Sequence, residues 1–302
     1  MSGRPEGVRE NVPLARLATV RTGGSADLFA RASHEAALLA LVRWAHESGT
    51  PLRVVGSGSN LLIADAGVSG LVVKLDGELA ETSIDGTHLT AGGGARLPSV
   101  AARAARAGLA GIEFAVNIPG TVGGAVRMNA NAYGGELAAT LEWVDVATAR
   151  GIERRSPAEL ELTYRHSNLA ADEVVARARF ALTADDAGVV AARLAELRRA
   201  RHEAQPQGIR TFGSTFKNPD DERAEGRTAG LLLAAAGCNG LAVGGARFSP
   251  KHANFIENTG AATTADIVAL MAEGRRRVLE RFGVALEAEV QTLGDIEFPW
   301  RG

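Results

Sequence analysis

Residues 118–136, IPGTVGGAVRMNANAYGGE, form the stretch best suited to hold a ligand with its backbone. Five of these residues are glycine, which costs roughly 0.5–1 kcal/mol relative to alanine in a regular element. So much glycine predicts that the backbone here approaches something closely. The residues predicted to make that approach are Pro119, Gly120, Thr121, Gly123 and Gly124.

A second glycine-rich loop, GSGSN, is a candidate phosphate cradle. Its residues are Gly56, Ser57, Gly58, Ser59 and Asn60. Successive N–H groups and two hydroxyls could form an anion-binding nest, although a plain tight turn would have the same composition. The loop joins two predicted strands, unlike the Rossmann pattern in which G-x-G-x-x-G opens a helix. Two such cradles without a Walker lysine indicate a pyrophosphate with a large attached group, as in a dinucleotide.

Ser214 lies in GSTFKNP, residues 213–219. The segment lacks the G-x-S-x-G elbow of an acyl nucleophile, and a serine that satisfies a turn is the simplest alternative. Lys217 and Asn218 could bind a phosphate or a sugar, or could cap the loop.

Two charged residues could act on a carboxylate. Arg165 lies in YRHS, at the end of a strand-like run. Its guanidinium could bind a carboxylate in a fixed geometry, or it could be an ordinary surface charge. Glu289 lies in ALEAEVQ, where alternation puts Leu286, Ala288 and Val290 on one face and Glu289 on the other. A solvated strand face is the alternative for Glu289. Tyr133, one of only two tyrosines, lies in the glycine-rich stretch and could pack there.

The composition excludes several classes of protein. With 302 residues, 46% hydrophobic and 23% charged, the chain predicts a folded protein of two or possibly three domains. A net charge of −2 gives no electrostatic case for nucleic acid or an anionic membrane. The lone cysteine, Cys238, excludes an internal disulfide, and the six histidines have no metal-ligand spacing. Without a signal peptide or spanning segment, we expect a cytoplasmic protein.

The elements that must position these residues alternate few helices with many strands, which favours an α+β fold. Helices are predicted at 33–49 (cap Ser33), 97–107, about 187–203, 227–236 and 265–282 (cap Thr264, stop Gly283). Strands are predicted at 52–55, 61–63, 71–76, 141–147, 160–164, 174–182, near 253–257 and within 284–294, with a hairpin turn at Asp85-Gly86. The main domain boundary is predicted at Gln205-Pro206, where the composition turns to PQG and a new set of elements follows. The arginine-rich runs RRARHEAQ and GRRRVLER are predicted to be solvated helix faces.

Six motifs taken together resemble the UDP-N-acetylenolpyruvoylglucosamine reductase family. In chain order they are VVGSGSNLLI, IPGTVGGAVRMNANAYGGE, YRHS, GSTFKNP, SPKHANFIEN and LEAEV, spanning about Asn11 to Gly294. The resemblance implies a two-subdomain FAD-binding fold of the vanillyl-alcohol-oxidase type, residues 1–187 (about 1–77 and 78–187). An α+β substrate-binding domain, 188–302, would follow. The short interval between Arg165 and Ser214 resembles the family class without a tyrosine-bearing loop.

The resemblance also implies roles. NADPH would reduce a noncovalent FAD held by the two glycine-rich loops, and hydride would pass to the methylene carbon of UDP-N-acetylglucosamine enolpyruvate. Ser214 would donate a proton, while Arg165 and a protonated Glu289 would flank the substrate carboxylate; burial would raise the pKa of that glutamate. Tyr133 would stack on nicotinamide or uracil, and Lys217 and Asn218 would contact substrate.

The chain departs from the family pattern at Asn117, Ala234 and Asn239, where glycine, an acidic residue and lysine are common. These departures spare the three catalytic candidates. Another flavin oxidoreductase of the same fold is one alternative, although neither glycine-rich stretch has a histidine or cysteine to attach flavin. A catalytically silent FAD or nucleotide-sugar binding protein is the other.

Overall fold

The computed structural model of the chain describes residues 3–300. Its strands, numbered in chain order, are β1 (Arg9–Pro13), β2 (Ser25–Ala32), β3 (Leu52–Val54), β4 (Leu61–Ile63), β5 (Val68–Leu75), β6 (Thr82–Asp85), β7 (His88–Gly92), β8 (Leu109–Ala110), β9 (Asn131–Ala132), β10 (Gly135–Glu136), β11 (Leu141–Thr148), β12 (Gly151–Arg155), β13 (Val174–Ala181), β14 (Thr183–Ala184), β15 (Ala242–Val243), β16 (Ala246–Phe248), β17 (Ile256–Asn258) and β18 (Gln291–Leu293). Its helices are α1 (Glu35–Glu47), α2 (Leu97–Arg106), α3 (Val122–Arg127), α4 (Ala187–Ala204), α5 (Ala229–Ala235) and α6 (Thr264–Phe282).

The mixture of helices with parallel and antiparallel strands confirms the predicted α+β class. The larger sheets have the orders β1-β2-β5-β3, β12-β11-β13-β7-β6 and β15-β16-β17. Two compact units result: the first comprises 28–57, 70–203 and the described part of 1–10, and the second comprises 11–27, 58–69 and the described part of 204–302. Within residues 3–300, every helix is too short or too polar to cross a lipid bilayer.

A five-stranded antiparallel sheet organises the first unit. The predicted hairpin at Asp85-Gly86 is confirmed, since Asp85 pairs with His88 across the turn between β6 and β7. Strand β13 lies between β7 and β11. Helices α2 and α3 bury their alanine and valine side chains with this sheet in one apolar core, so the glycine-rich stretch is fixed by burial of apolar surface.

A second layer of the first unit packs α1 against the parallel pair β3 and β5. The helix is capped by His34, whose Nδ1 accepts from the Ala37 N–H at 3.2 Å, so the prediction of Ser33 as the cap is wrong. The helix ends before Ser48, and Gly49 takes a φ of +65°, which glycine adopts without steric cost.

The segment Gly92–Gly94, at the end of β7, brings three backbones together. A Cβ on Gly93 would lie 1.9 Å from the Val175 carbonyl oxygen. The Gly93 N–H donates to the Ala176 carbonyl, and its carbonyl accepts from the Gly123 N–H, both at 2.8 Å. Glycine is therefore required here by close backbone packing, and this contact fixes the first turn of α3.

The second unit is built on α6 and the small sheet β15-β16-β17. Helix α6 begins one residue before its predicted start, with Thr263 and Asp266 in a capping box, so the prediction of Thr264 as the cap is wrong. Thr264 instead donates its hydroxyl to the Ile63 carbonyl at 2.6 Å. The predicted stop at Gly283 is confirmed by its left-handed conformation. Strand β18 pairs in parallel with β4.

The predicted strand at 160–164 is wrong. Residues Ser156 and Glu159 instead form a reciprocal cap, with the Ser156 N–H donating to the Glu159 carboxylate at 2.7 Å. Glu161 then takes a φ of +46°, which a strand does not allow. Because the polar and apolar residues of LELTY alternate, they resemble a strand, but the local cap before them determines a series of turns.

Replacement of Gly93 by alanine tests the packing of this region. We expect Gly93→Ala to lower the free energy of unfolding by about 1–3 kcal/mol, since a methyl group cannot fit against the Val175 carbonyl. The matched control is Gly124→Ala, where the new Cβ would meet Thr121 Oγ1 at 3.5 Å, an ordinary contact. Urea unfolding of both unliganded variants measures the difference. Equal stability of the two variants would contradict the requirement for glycine at position 93.

Candidate active site

The Pro119–Gly124 loop of the first unit is fixed on one side by the loop at 56–57. The Ser57 hydroxyl donates to the Pro119 carbonyl at 2.6 Å, and a Cβ on Gly56 would lie 2.4 Å from Thr121 Oγ1. The Lys74 ammonium donates to the Gly56 carbonyl. Burial, and then the charge of Arg31, lowers the pKa of Lys74. The two predicted glycine-rich elements thus meet in this unit at Ser57 and Pro119.

The same loop is fixed on its other side by α4. Asn117 is buried; its side-chain amide donates to the Leu197 carbonyl at 2.7 Å, and its own carbonyl accepts from the Arg201 guanidinium. Burial lowers the pKa of Arg201. The departure of Asn117 from the family pattern therefore has a structural role, and the prediction of a solvated face for the run RRARHEAQ is wrong at Arg201.

Glycine at two residues of this loop is not explained by packing of the protein. Among the described residues, a Cβ on Gly120 would meet Ile118 Cγ2 alone, at 3.8 Å, and a Cβ on Gly124 would meet Thr121 Oγ1 alone, at 3.5 Å. Gly123 differs, since its Cβ would lie 3.1 Å from the Gly93 carbonyl. Gly120 and Gly124 therefore leave open space beside the backbone of this loop.

Arg165 lies at the tip of a tight turn in the first unit. Thr163 and His166 close the turn with reciprocal backbone hydrogen bonds of 3.1 and 3.2 Å, so YRHS is a turn and not a strand end. Arg165 has a φ of +59°, which is uncommon for a residue with a side chain. Its guanidinium carbon lies 5.2 Å from the centre of the Tyr164 ring.

Tyr133 lies at the tip of another turn of this unit, between β9 and β10. It has a φ of +50° and is 45% exposed. The chain has two tyrosines, Tyr133 and Tyr164, and both are exposed. An exposed aromatic ring on a constrained turn suits the predicted contact with a planar ligand.

In the second unit, Gly58 and Asn60 are fixed by distant segments. A Cβ on Gly58 would lie 2.0 Å from the Leu17 carbonyl oxygen, so packing alone explains that glycine. The Asn60 carbonyl accepts from the Gln291 N–H at 3.1 Å, and its amide donates to the Glu289 carbonyl at 3.4 Å. This loop therefore contacts the segment that carries Glu289.

Ser214 and Glu289 lie on adjacent extended segments of the second unit. The Glu289 N–H donates to the Thr215 carbonyl at 2.9 Å, and Ser214 forms a backbone bridge with Phe255 on the other side. The predicted alternation is confirmed, since Leu286, Ala288 and Val290 are buried. Glu289 is also buried, with 9% exposure, so the alternative of a solvated face is wrong for this glutamate.

A buried asparagine that sequence reasoning missed holds the segment of Ser214. Asn254 accepts from the Phe216 N–H at 2.9 Å and donates to the Phe216 carbonyl at 2.8 Å. Its side chain thus replaces a strand partner. The motif SPKHANFIEN contains this asparagine, but a motif does not show which backbone groups the side chain contacts.

Lys217 and Asn218 follow directly and have protein partners. The Lys217 ammonium pairs with the exposed Glu287 carboxylate at 3.4 Å. The Asn218 side chain accepts from the Ala229 N–H, the first residue of α5, at 3.2 Å. Asn218 therefore joins its loop to the start of α5, whose N-cap is Thr228.

Comparisons with known proteins show the family to which the whole chain is similar. The C-terminal domain model of UDP-N-acetylenolpyruvoylglucosamine reductase matches residues 205–293, and a FAD binding domain model matches residues 26–156. The reductase of Heliobacterium modesticaldum is 43% identical over 285 residues, covering 94% of this chain and 90% of that protein. That of Granulibacter bethesdensis is 42% identical over 287 residues, covering 95% and 91%.

A solved structure is similar over nearly the whole chain. The crystal structure of UDP-N-acetylenolpyruvylglucosamine reductase from Thermus caldophilus is 37% identical, has a TM-score of 0.82, and covers 95% of this chain and 99% of its own. The predicted FAD-binding fold of the vanillyl-alcohol-oxidase type is confirmed. On these identities and coverages, the chain belongs to the UDP-N-acetylenolpyruvoylglucosamine reductase family.

Proposed function

We propose that this chain reduces UDP-N-acetylglucosamine enolpyruvate to UDP-N-acetylmuramate with FAD as cofactor and NADPH as reductant. The observation that carries the proposal is the position of the buried Glu289 beside the segment of Ser214. The Glu289 N–H donates to the carbonyl of Thr215, the residue after Ser214, at 2.9 Å. Relatives named for this reductase activity at 43% and 42% identity support it. We assign the reaction to peptidoglycan precursor synthesis, because its product is UDP-N-acetylmuramate, and to the cytoplasm, where a free thiol such as that of the buried Cys238 stays reduced.

The glycine-rich loops fit FAD. Gly120 and Gly124 have open space where other residues carry a Cβ, and Pro119 and Thr121 are fixed beside them. The residues that would hold the cofactor are Gly56, Ser57, Gly58, Ser59, Asn60, Pro119, Gly120, Thr121, Gly123 and Gly124. Neither loop has a histidine or cysteine, so the cofactor is noncovalent. When bound, FAD supplies to the substrate methylene carbon the hydride that NADPH provides.

The protein groups complete the reaction with one proton. Hydride addition leaves an electron pair on the carbon beside the substrate carboxylate, and the Ser214 hydroxyl donates a proton to that carbon. Arg165 stabilises the negative charge that spreads into the carboxylate. Such electrostatic stabilisation of the transition state is the largest contribution to rate enhancement in many enzymes. Glu289, which is buried, would flank the same carboxylate on the side of the second unit's segment.

The remaining predicted residues concern the substrate. Tyr133 would stack on a planar ring of nicotinamide or uracil, and Lys217 and Asn218 would contact the nucleotide sugar. We assign residues 1–187 to FAD binding, with subdomains of about 1–77 and 78–187, and residues 188–302 to substrate binding.

A bulkier residue at Gly124 tests the cofactor site. We expect Gly124→Val to weaken FAD affinity by about 10-fold or more, because its methyl groups fill the open surface that the cofactor would cover. Fluorescence titration of the cofactor-free protein with FAD measures the affinity. The control, Gly188→Val at the exposed start of α4, should bind FAD as the parent does. Equal affinity of all three proteins would exclude this loop from the site.

The role of Arg165 predicts different effects on the two half-reactions. Arg165→Lys keeps the charge but loses the planar fork. Reoxidation of the flavin by the enolpyruvyl sugar should slow about 10²-fold or more, while reduction by NADPH should change little. Arg150→Lys, on a side chain that is 83% exposed, is the control for loss of a guanidinium. A loss of the same size in both half-reactions would show that Arg165 is structural.

Ser214 is tested by removal of its hydroxyl. We expect Ser214→Ala to slow substrate-dependent reoxidation about 10²–10⁴-fold, the typical contribution of a general acid. FAD content and reduction by NADPH should remain near those of the parent. Thr215→Val removes a buried hydroxyl without a partner among the described residues and should leave both half-reactions unchanged. If Ser214→Ala reoxidises at the parent rate, Ser214 is a turn residue and the proton comes from elsewhere.

A further inference from the structure

The C-terminal end of α3 holds the turn that carries Arg165 by contacts on both sides. On one side, the Asn129 amide donates to the Thr163 carbonyl at 3.1 Å. On the other, the Ser167 hydroxyl donates to the Arg127 carbonyl at 2.8 Å. The turn is thus joined to α3 immediately before and immediately after the residues at its tip.

Arg127 extends this attachment along the following segment. Its guanidinium donates to the carbonyls of Leu169 and Ala170, each at 3.1 Å, and of Glu173, at 2.6 Å. Burial lowers the pKa of Arg127, although Glu173 and Asp172 act in the opposite direction. The chain that leaves the Arg165 turn is therefore fixed to α3 as far as the start of β13.

The backbone of Arg165 needs such support. A φ of +59° places a residue with a side chain in the left-handed region, which persists where surrounding contacts determine it. Two backbone hydrogen bonds between Thr163 and His166 close a turn of this size, but they do not fix its direction relative to the rest of the unit. The contacts to Asn129 and Ser167 supply that direction.

Asn129 is an unfavourable residue for stability alone. Its side chain is fully buried, and within residues 3–300 its Oδ1 has no hydrogen-bond partner, which destabilises a fold. Both of its amide donors are used, one on Thr163 and the other on the Glu136 carboxylate at 2.6 Å. Glu136 ends the hairpin of Tyr133, so this one amide joins the turns that carry Tyr133 and Arg165.

We propose that Asn129 is a positioning residue for Arg165, acting through the Thr163 carbonyl, with Arg127 and Ser167 holding the other side of the turn. The inference rests on the proposed role of Arg165 in substrate reduction. The first turn of helix α3 contains Gly124 of the proposed cofactor loop, and Asn129 lies just after the C-cap, Met128. One short helix therefore fixes the Arg165 turn relative to that loop.

The test is a double-mutant cycle on single-turnover reoxidation of the reduced holoenzyme by the enolpyruvyl sugar. Asn129→Gly removes both donors and keeps a residue that accepts the φ of +37° found here. In the parent background we expect reoxidation to slow about 5- to 10-fold, the effect of losing the one hydrogen bond that reaches the Arg165 turn. In the Arg165→Ala background the same change should slow it by less than about 2-fold, since the two residues act as one unit.

The control is Asn168→Ala, in the segment after the turn. It removes a side-chain amide that donates to the Glu159 carbonyl at 2.9 Å. It should leave the rates and the cycle unchanged. A full effect of Asn129→Gly in the Arg165→Ala background, an equal loss in reduction by NADPH, or no effect in either background would each overturn the proposal.

A second variant covers the case in which Asn129→Gly does not fold. Ser167→Ala removes the contact on the other side of the turn and should slow reoxidation about 2- to 3-fold in the parent but not with Arg165→Ala. Equal slowing in both backgrounds would overturn the inference. If Arg165→Ala alone reoxidises at the parent rate, the proposed role of Arg165 itself is wrong. The Arg165→Ala single variant therefore distinguishes an error about Arg165 from an error about the positioning role of Asn129.

Discussion

Direct backbone contact at Gly93 is the constraint on which the candidate site of the first unit depends. Its carbonyl fixes the first turn of α3 through the Gly123 N–H, and its N–H is bound to β13. A side chain there would lie 1.9 Å from the Val175 carbonyl, so these elements cannot separate to admit one. Since α3 is capped by Thr121 at its start and Asn129 lies two residues after its end, the proposed cofactor loop and the Arg165 turn both take their places from this contact.

Apolar periodicity and helix-ending glycines, and not the predicted N-terminal caps, predicted most of the regular elements. The α6 helix and its stop at Gly283 are confirmed, because a long amphipathic pattern with a terminal glycine has few alternatives. The predictions are wrong where a short local hydrogen-bonding motif determines the structure in place of the apolar pattern. The reciprocal cap of Ser156 and Glu159 produced turns where alternation in LELTY predicted a strand, and Thr263 capped α6 in place of its neighbour Thr264.

The candidate site was less predictable because its residues are fixed by contacts between distant segments. Composition identified both glycine-rich loops, but it could not separate Gly58, required by the Leu17 carbonyl, from Gly124, which has open space. Alternation put Glu289 on the face opposite to the apolar one, and the structure buries it nonetheless. Asn254 gives no signal in a single sequence, since its backbone partners lie 38 residues away.

The central claim is that this chain passes electrons from NADPH through a bound flavin to an enolpyruvyl nucleotide sugar. The most direct measurement is the visible absorbance of the purified holoenzyme under anaerobic conditions. We expect NADPH to bleach the flavin band and UDP-N-acetylglucosamine enolpyruvate to restore it, with one product formed per flavin reoxidised. A flavin that NADPH bleaches but the enolpyruvyl sugar leaves reduced would contradict the account.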